Sequence, residues 1–126
     1  MKVLIRRALT SLLIALVAMT ATIAAAHSFP EKETPPAGAT LNAPPAVVSI
    51  KFDAPIERLF AQLQVLGADG KNEVTGGPEV APDGYTLRAK IPVLKPGDYK
   101  VEWAVVCIDT HHTNGSYEFT VGEGGS

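Results

Sequence analysis

His27, His111, His112 and Cys107 hold all the imidazoles and the one thiol of this 126-residue chain, and Asp109 sets a carboxylate among them. His27 follows the triplet Ala24-Ala25-Ala26. A signal peptidase that cuts after Ala26 makes His27 the first residue, and an N-terminal histidine is a chelator by itself. Its α-amine and its imidazole can grip one ion together. The amine has an intrinsic pKa near ~8, so a metal can displace its proton close to neutral pH. Asp109 and His111 are spaced so that, on an extended backbone, both side chains point the same way. An Asp-x-His pair then offers one carboxylate oxygen and one ring nitrogen to a shared point, while His112 faces the other way. Added to His27, the set is three nitrogens and one oxygen. A tetragonal N,O set suits copper(II) better than zinc, which prefers tetrahedral sites.

Each residue also has an ordinary role open to it. His111-His112 fits a polar loop, Asp109 fits a turn residue that binds backbone amides, and His27 fits an accident of the cleavage site. Cys107-x3-His111 is half of a blue-copper ligand set, which needs a second histidine and a weak axial methionine. Both methionines, Met1 and Met19, precede residue 27. Thioether ligation, which favours copper(I), is therefore absent from the exported part. Cys107 shares parity with Val101, Trp103 and Val105, which makes it a small core residue. As the single cysteine it has no partner within the chain for a disulfide.

The residues that precede His27 have the build of a secretory leader. Lys2, Arg6 and Arg7 form a basic start, Ala8 to Val17 is mostly apolar, and the alanine triplet suits a peptidase. The expected organisation is a signal peptide over 1–26 and one domain over 27–126, exported to the periplasm. Cutting there leaves 100 residues, enough for one core. That part holds 8 basic against 13 acidic residues, a formal charge of −5. An acidic domain with no basic run is a poor partner for nucleic acid, whose binding depends on neutralised phosphates.

Short alternating runs between Pro and Gly predict an all-β sandwich or barrel to position these side chains. Val48, Ile50 and Phe52 mark one strand and Ala61 to Leu66 a second, closed by Gly67-Ala68-Asp69-Gly70. Tyr85, Leu87, Ala89 and Ile91 form the clearest alternation. Lys95-Pro96-Gly97-Asp98 predicts a type II turn leading into the longest strand, Tyr99 to Ile108. Tyr117, Phe119 and Val121 mark the last strand. Ser28 to Pro45, with five prolines, predicts an extended, poorly paired arm, and Pro55 to Phe60 at most one helical turn.

Two blocks then resemble the CopC-like periplasmic copper-binding proteins. One is the arm His27-Ser28-Phe29 with Pro35-Pro36-Ala37-Gly38-Ala39. The other runs from Tyr99-Lys100-Val101-Glu102-Trp103 through Cys107-Ile108-Asp109-Thr110-His111 to Gly115-Ser116-Tyr117-Glu118-Phe119. The resemblance implies a seven-stranded Greek-key β-barrel or sandwich, cupredoxin-like or immunoglobulin-like. It implies one copper(II) ion in a histidine brace, held by the amine and ring of His27, the carboxylate of Asp109 and the ring of His111. It also implies a monomeric carrier in copper homeostasis or resistance, not an enzyme, with an inner-membrane CopD-type transporter as partner. Three positions depart from the family. Ala54 stands where some members carry an acid near the metal, Cys107 replaces the usual Ser, and His112 adds a competing donor. These departures leave one of the four coordination positions open to His112 or water. The rival expectations are a small copper oxidoreductase that uses the same brace, and a metal-free β-sandwich interaction module.

Overall fold

A computed structural model describes residues 28–124. The leader expected over 1–26 and His27 lie outside the described residues. Eight strands form among those described: β1 (Pro30–Thr34), β2 (Thr40–Leu41), β3 (Val47–Phe52), β4 (Gln62–Leu66), β5 (Thr75–Val80), β6 (Thr86–Lys90), β7 (Gly97–Val106) and β8 (His112–Val121). They build a Greek-key sandwich of two four-stranded sheets, ordered β1-β3-β6-β5 and β2-β8-β7-β4. Every pairing is antiparallel except β2 on β8.

Period-two alternation produces the core. Val48, Ile50 and Phe52 of β3, with Leu87 and Ala89 of β6, face Leu63, Val65, Val101, Trp103, Val105, Tyr117 and Phe119 of the other sheet, all buried. Phe52 meets Trp103 edge to face with ring centroids 5.0 Å apart, and Tyr99 stacks on Phe119 at 5.7 Å. These aromatic pairs tie β3 to β7, and β7 to β8, the two strands of the hairpin that carries Asp109 and His111.

Several sequence expectations change. The proline-rich arm is paired: β1 lies along β3 and β2 along β8. One more strand forms than the seven expected. β5 was hidden because its sequence, Thr-Gly-Gly-Pro-Glu-Val, has poor strand propensity. It survives as a sheet edge with an irregular register between Thr75 and Glu79, where a proline costs no ladder bond. The Lys95–Asp98 turn is a bend at Pro96, with Gly97 already opening β7, and the Tyr99 hydroxyl donates to the Lys95 carbonyl at 2.6 Å. β7 therefore runs two residues earlier at each end than the run read from Tyr99 to Ile108. Its length is matched by β8, which starts at His112, well before Tyr117. No helical turn forms over 55–60; Ile56 makes a lone bridge to Cys107 instead.

Candidate metal centre

β7 and β8 form one continuous hairpin, in register from Gly97 opposite Val121 to Val106 opposite His112. Its tip is Cys107 to His111. The Cys107 N–H donates to the His111 carbonyl and the Thr110 N–H to the Cys107 carbonyl, both at 2.8 Å. The chain closes this small loop by placing Thr110 at φ 76°. Left-handed backbone is costly for a β-branched residue, so the surrounding bonds must hold it.

That turn brings Asp109 and His111 together. Oδ2 of Asp109 lies 3.1 Å from Nδ1 of His111, and Oδ1 accepts the His111 backbone N–H at 3.3 Å. The expected extended geometry is absent here, because β7 ends at Val106. The two side chains meet through a tight turn and not through strand alternation. Both remain accessible, with 38 % and 55 % of the Asp109 and His111 side chains exposed. Two ligand atoms about 2.0–2.2 Å from one ion and at right angles to each other sit about 3 Å apart. The Oδ2–Nδ1 spacing fits adjacent positions on a single ion.

The start of the described chain is locked to the same hairpin. Ser28 is fully buried. Its N–H donates to Sγ of Cys107 at 2.8 Å, and the thiol donates to Oγ of Ser28 at 2.8 Å. Oγ in turn donates to the Ala54 carbonyl at 3.4 Å, and Oγ1 of Thr113 donates to the Ser28 carbonyl at 3.0 Å. One residue on, Phe29 and Asp53 exchange bonds: the Phe29 N–H to Oδ1 at 2.8 Å, and the Asp53 N–H to the Phe29 carbonyl at 2.9 Å. Cys107 is buried, as its parity indicated, but it is also a hydrogen-bonding residue. Ser28, Asp53 and Thr113 escaped sequence reasoning. The available signal was an acid just after a strand end, and no spacing rule connects residues 28 and 107.

The other flagged positions are also placed. His112 is exposed at the start of β8 and lines an open cleft with Leu59, Phe60, Gln62 and Val106. Ala54 presents its carbonyl to Ser28, and its side chain has no donor atom. Among the described residues no group of three or more His, Cys, Asp and Glu side chains converges. Asp109 and His111 give two donor groups side by side at this tip.

These features define a small Greek-key β-sandwich domain with an accessible carboxylate–imidazole pair on a hairpin tip. The CopC domain family model matches residues 30–122, and the chain belongs to this family of copper-binding proteins. Its membership makes it a metal-binding protein and not an enzyme. The chain is 31 % identical over 100 residues to the copper transport protein CutJ of Bacillus subtilis, covering 78 % of this chain but only 18 % of CutJ. It is 31 % identical over 99 residues to protein YobA of Escherichia coli K12, covering 76 % of this chain and 79 % of YobA. Among solved structures, CopC from Methylosinus trichosporium OB3b superimposes with a TM-score of 0.71 at 32 % identity, over 76 % of this chain and 94 % of that one. PcoC, a methionine-rich copper resistance protein from Escherichia coli, gives 0.66 at 25 % identity, over 76 % and 99 %. The resemblance drawn from the sequence and the all-β Greek-key fold are both borne out.

Proposed function

We propose that the chain is a periplasmic copper(II) carrier, exported by cleavage after Ala26, that binds one ion in a histidine brace. The amine and ring of His27 supply two nitrogens, His111 a third, and Asp109 a carboxylate oxygen. The observation that carries this reading is the convergence on one hairpin. Asp109 and His111 occupy its tip, and Ser28, covalently joined to His27, is bonded to Cys107, where that tip begins, and to Thr113, just beyond it.

The donor chemistry supports copper(II) over copper(I). PcoC is described as methionine rich, whereas here Met1 and Met19 both fall in the leader. Hard and borderline N,O donors remain, and these hold the divalent ion. Because each donor must lose or lack a proton to bind, acid competes with copper and supplies a release mechanism. CutJ joins a region like this one to a much longer chain. That arrangement supports a carrier that works beside a larger copper-transport partner, which this reading takes to be of the CopD type, in copper homeostasis or resistance.

N-terminal sequencing of the exported protein tests the first requirement. The reading expects His27 as residue one, and a mature chain starting at any other position overturns the brace.

A further inference from the structure

The bonds to Ser28 have a consequence beyond the ligand set. We infer that Cys107 and Thr113 are positioning residues for copper, clamping Ser28, the residue that follows His27 in the chain, onto the hairpin that carries Asp109 and His111. The inference rests on the brace reading and names what makes that brace rigid.

The geometry has three parts. First, the clamp straddles the donors. Cys107 opens the tip and Thr113 follows it, and the 2.8 Å bond from the Cys107 N–H to the His111 carbonyl closes the loop that holds Asp109 and His111. Any displacement of Ser28 relative to Cys107 is therefore a displacement relative to Asp109 and His111. Second, the bonds leave Ser28 little freedom. Its N–H, Oγ and carbonyl are all engaged, and the side chain is fully buried. The N–H in question belongs to the peptide bond that joins Ser28 to His27. Third, one sulfur atom does two jobs, accepting from the backbone and donating to the hydroxyl in the relay Ser28 N–H, Cys107 thiol, Ser28 hydroxyl, Ala54 carbonyl.

A terminal ligand needs such a clamp because chain ends fray unless tied down. Loosening the tether lowers the effective concentration of the amine and ring at the other donors. Residues that orient ligands without touching the metal typically contribute about 10- to 100-fold to affinity. Replacing Cys107 with Ser keeps one donor and one acceptor on the same stem, whereas Ala keeps neither.

The test uses four mature proteins: wild type, Cys107→Ala, Cys107→Ser and Thr113→Val. Each is prepared with His27 first and again with one extra alanine before it. Copper(II) affinity is read by competition with a chromophoric chelator, and the ligand field by electron paramagnetic resonance. With His27 first, Cys107→Ala and Thr113→Val are expected to lose about 10- to 100-fold in affinity and to change the hyperfine pattern. Cys107→Ser is expected to restore both. In the alanine-extended series the four proteins should bind with equal, weaker affinity. If Cys107→Ala and Thr113→Val bind like wild type with His27 first, the clamp is overturned while the wild-type difference between series still upholds the brace. If Cys107→Ser stays as weak as Cys107→Ala, packing and not hydrogen bonding sets the affinity, and the clamp is likewise overturned. Equal binding by wild type in both series overturns the brace itself. Should Cys107→Ala fail to fold, as circular dichroism would reveal, Thr113→Val and Cys107→Ser decide the matter.

Discussion

Asp109 and His111 meet, Oδ2 to Nδ1 at 3.1 Å, because the residue between them takes a left-handed backbone. Thr110 has φ 76°, a conformation that costs a residue with a Cβ roughly 1–2 kcal/mol. Asparagine tolerates it far better. Thr110→Asn is expected to raise the stability of the copper-free protein by about 1 kcal/mol in urea unfolding. A loss of stability would show that the threonine side chain is held by a contact worth more than the backbone strain.

His111 and His112 separate by role. His111 faces the carboxylate of Asp109, and His112 lines a cleft beside Leu59 and Phe60. Chelator competition should find His111→Ala weakened by about 100-fold or more, beyond the range of outer-sphere residues. His112→Ala should bind copper as wild type does. The reverse ranking would assign the ring ligand to His112.

Gly115 is a packing position. It sits opposite Trp103 in the β7–β8 register, and a Cβ built there would fall 2.6 Å from Cζ2 and 3.0 Å from Cε2 of that ring. Trp103 has little room to yield, since it is buried and held edge to face by Phe52. Gly115→Ala is expected to cost about 1–3 kcal/mol and to alter the near-ultraviolet dichroism of the tryptophan. Unchanged stability would mean that the indole swings aside freely.

Glu33 supplies a pH dependence away from the metal. Burial raises its pKa above 4.5, with the Ala37 backbone N–H pulling it partly back. The folded state thus holds this proton more firmly than the unfolded chain does. The associated stability is present below the unfolded value and is lost as pH rises through the folded one. Neighbouring Tyr117 fits this picture: its buried hydroxyl has no hydrogen-bond partner among the described residues, and burial and then the Glu33 charge push its pKa upward. Glu33→Gln is therefore expected to stabilise the protein at pH 7, with the gain disappearing in acid below about 4. A gain of equal size at both pH values would rule out the carboxylate charge as its source.

Legibility in the sequence followed physical rules. Strands with one buried face, such as Val48-Ser49-Ile50-Lys51-Phe52, announced themselves by alternation. β5 did not, because Gly76, Gly77 and Pro78 are tolerated only where a sheet edge needs few bonds. The arm's pairing was obscured by prolines that still allow β1 to lie on β3 and β2 on β8. Asp109 and His111 were recognisable by residue type, yet the turn that joins them depends on Thr110, a residue whose sequence preference argues against that backbone. Ser28 and Cys107 lie 79 residues apart, and a thiol on a strand's inner face looks apolar. Their contact exists only in three dimensions.

The central claim is that copper is held by a free terminal amine as well as by side chains. A copper(II) titration of the protein beginning at His27, beside the same protein with one alanine added before it, tests this most directly. The brace predicts a large loss of affinity on adding that single residue, with a nitrogen ligand disappearing from the spin-resonance spectrum. Equal affinity and identical spectra in the two proteins would contradict it.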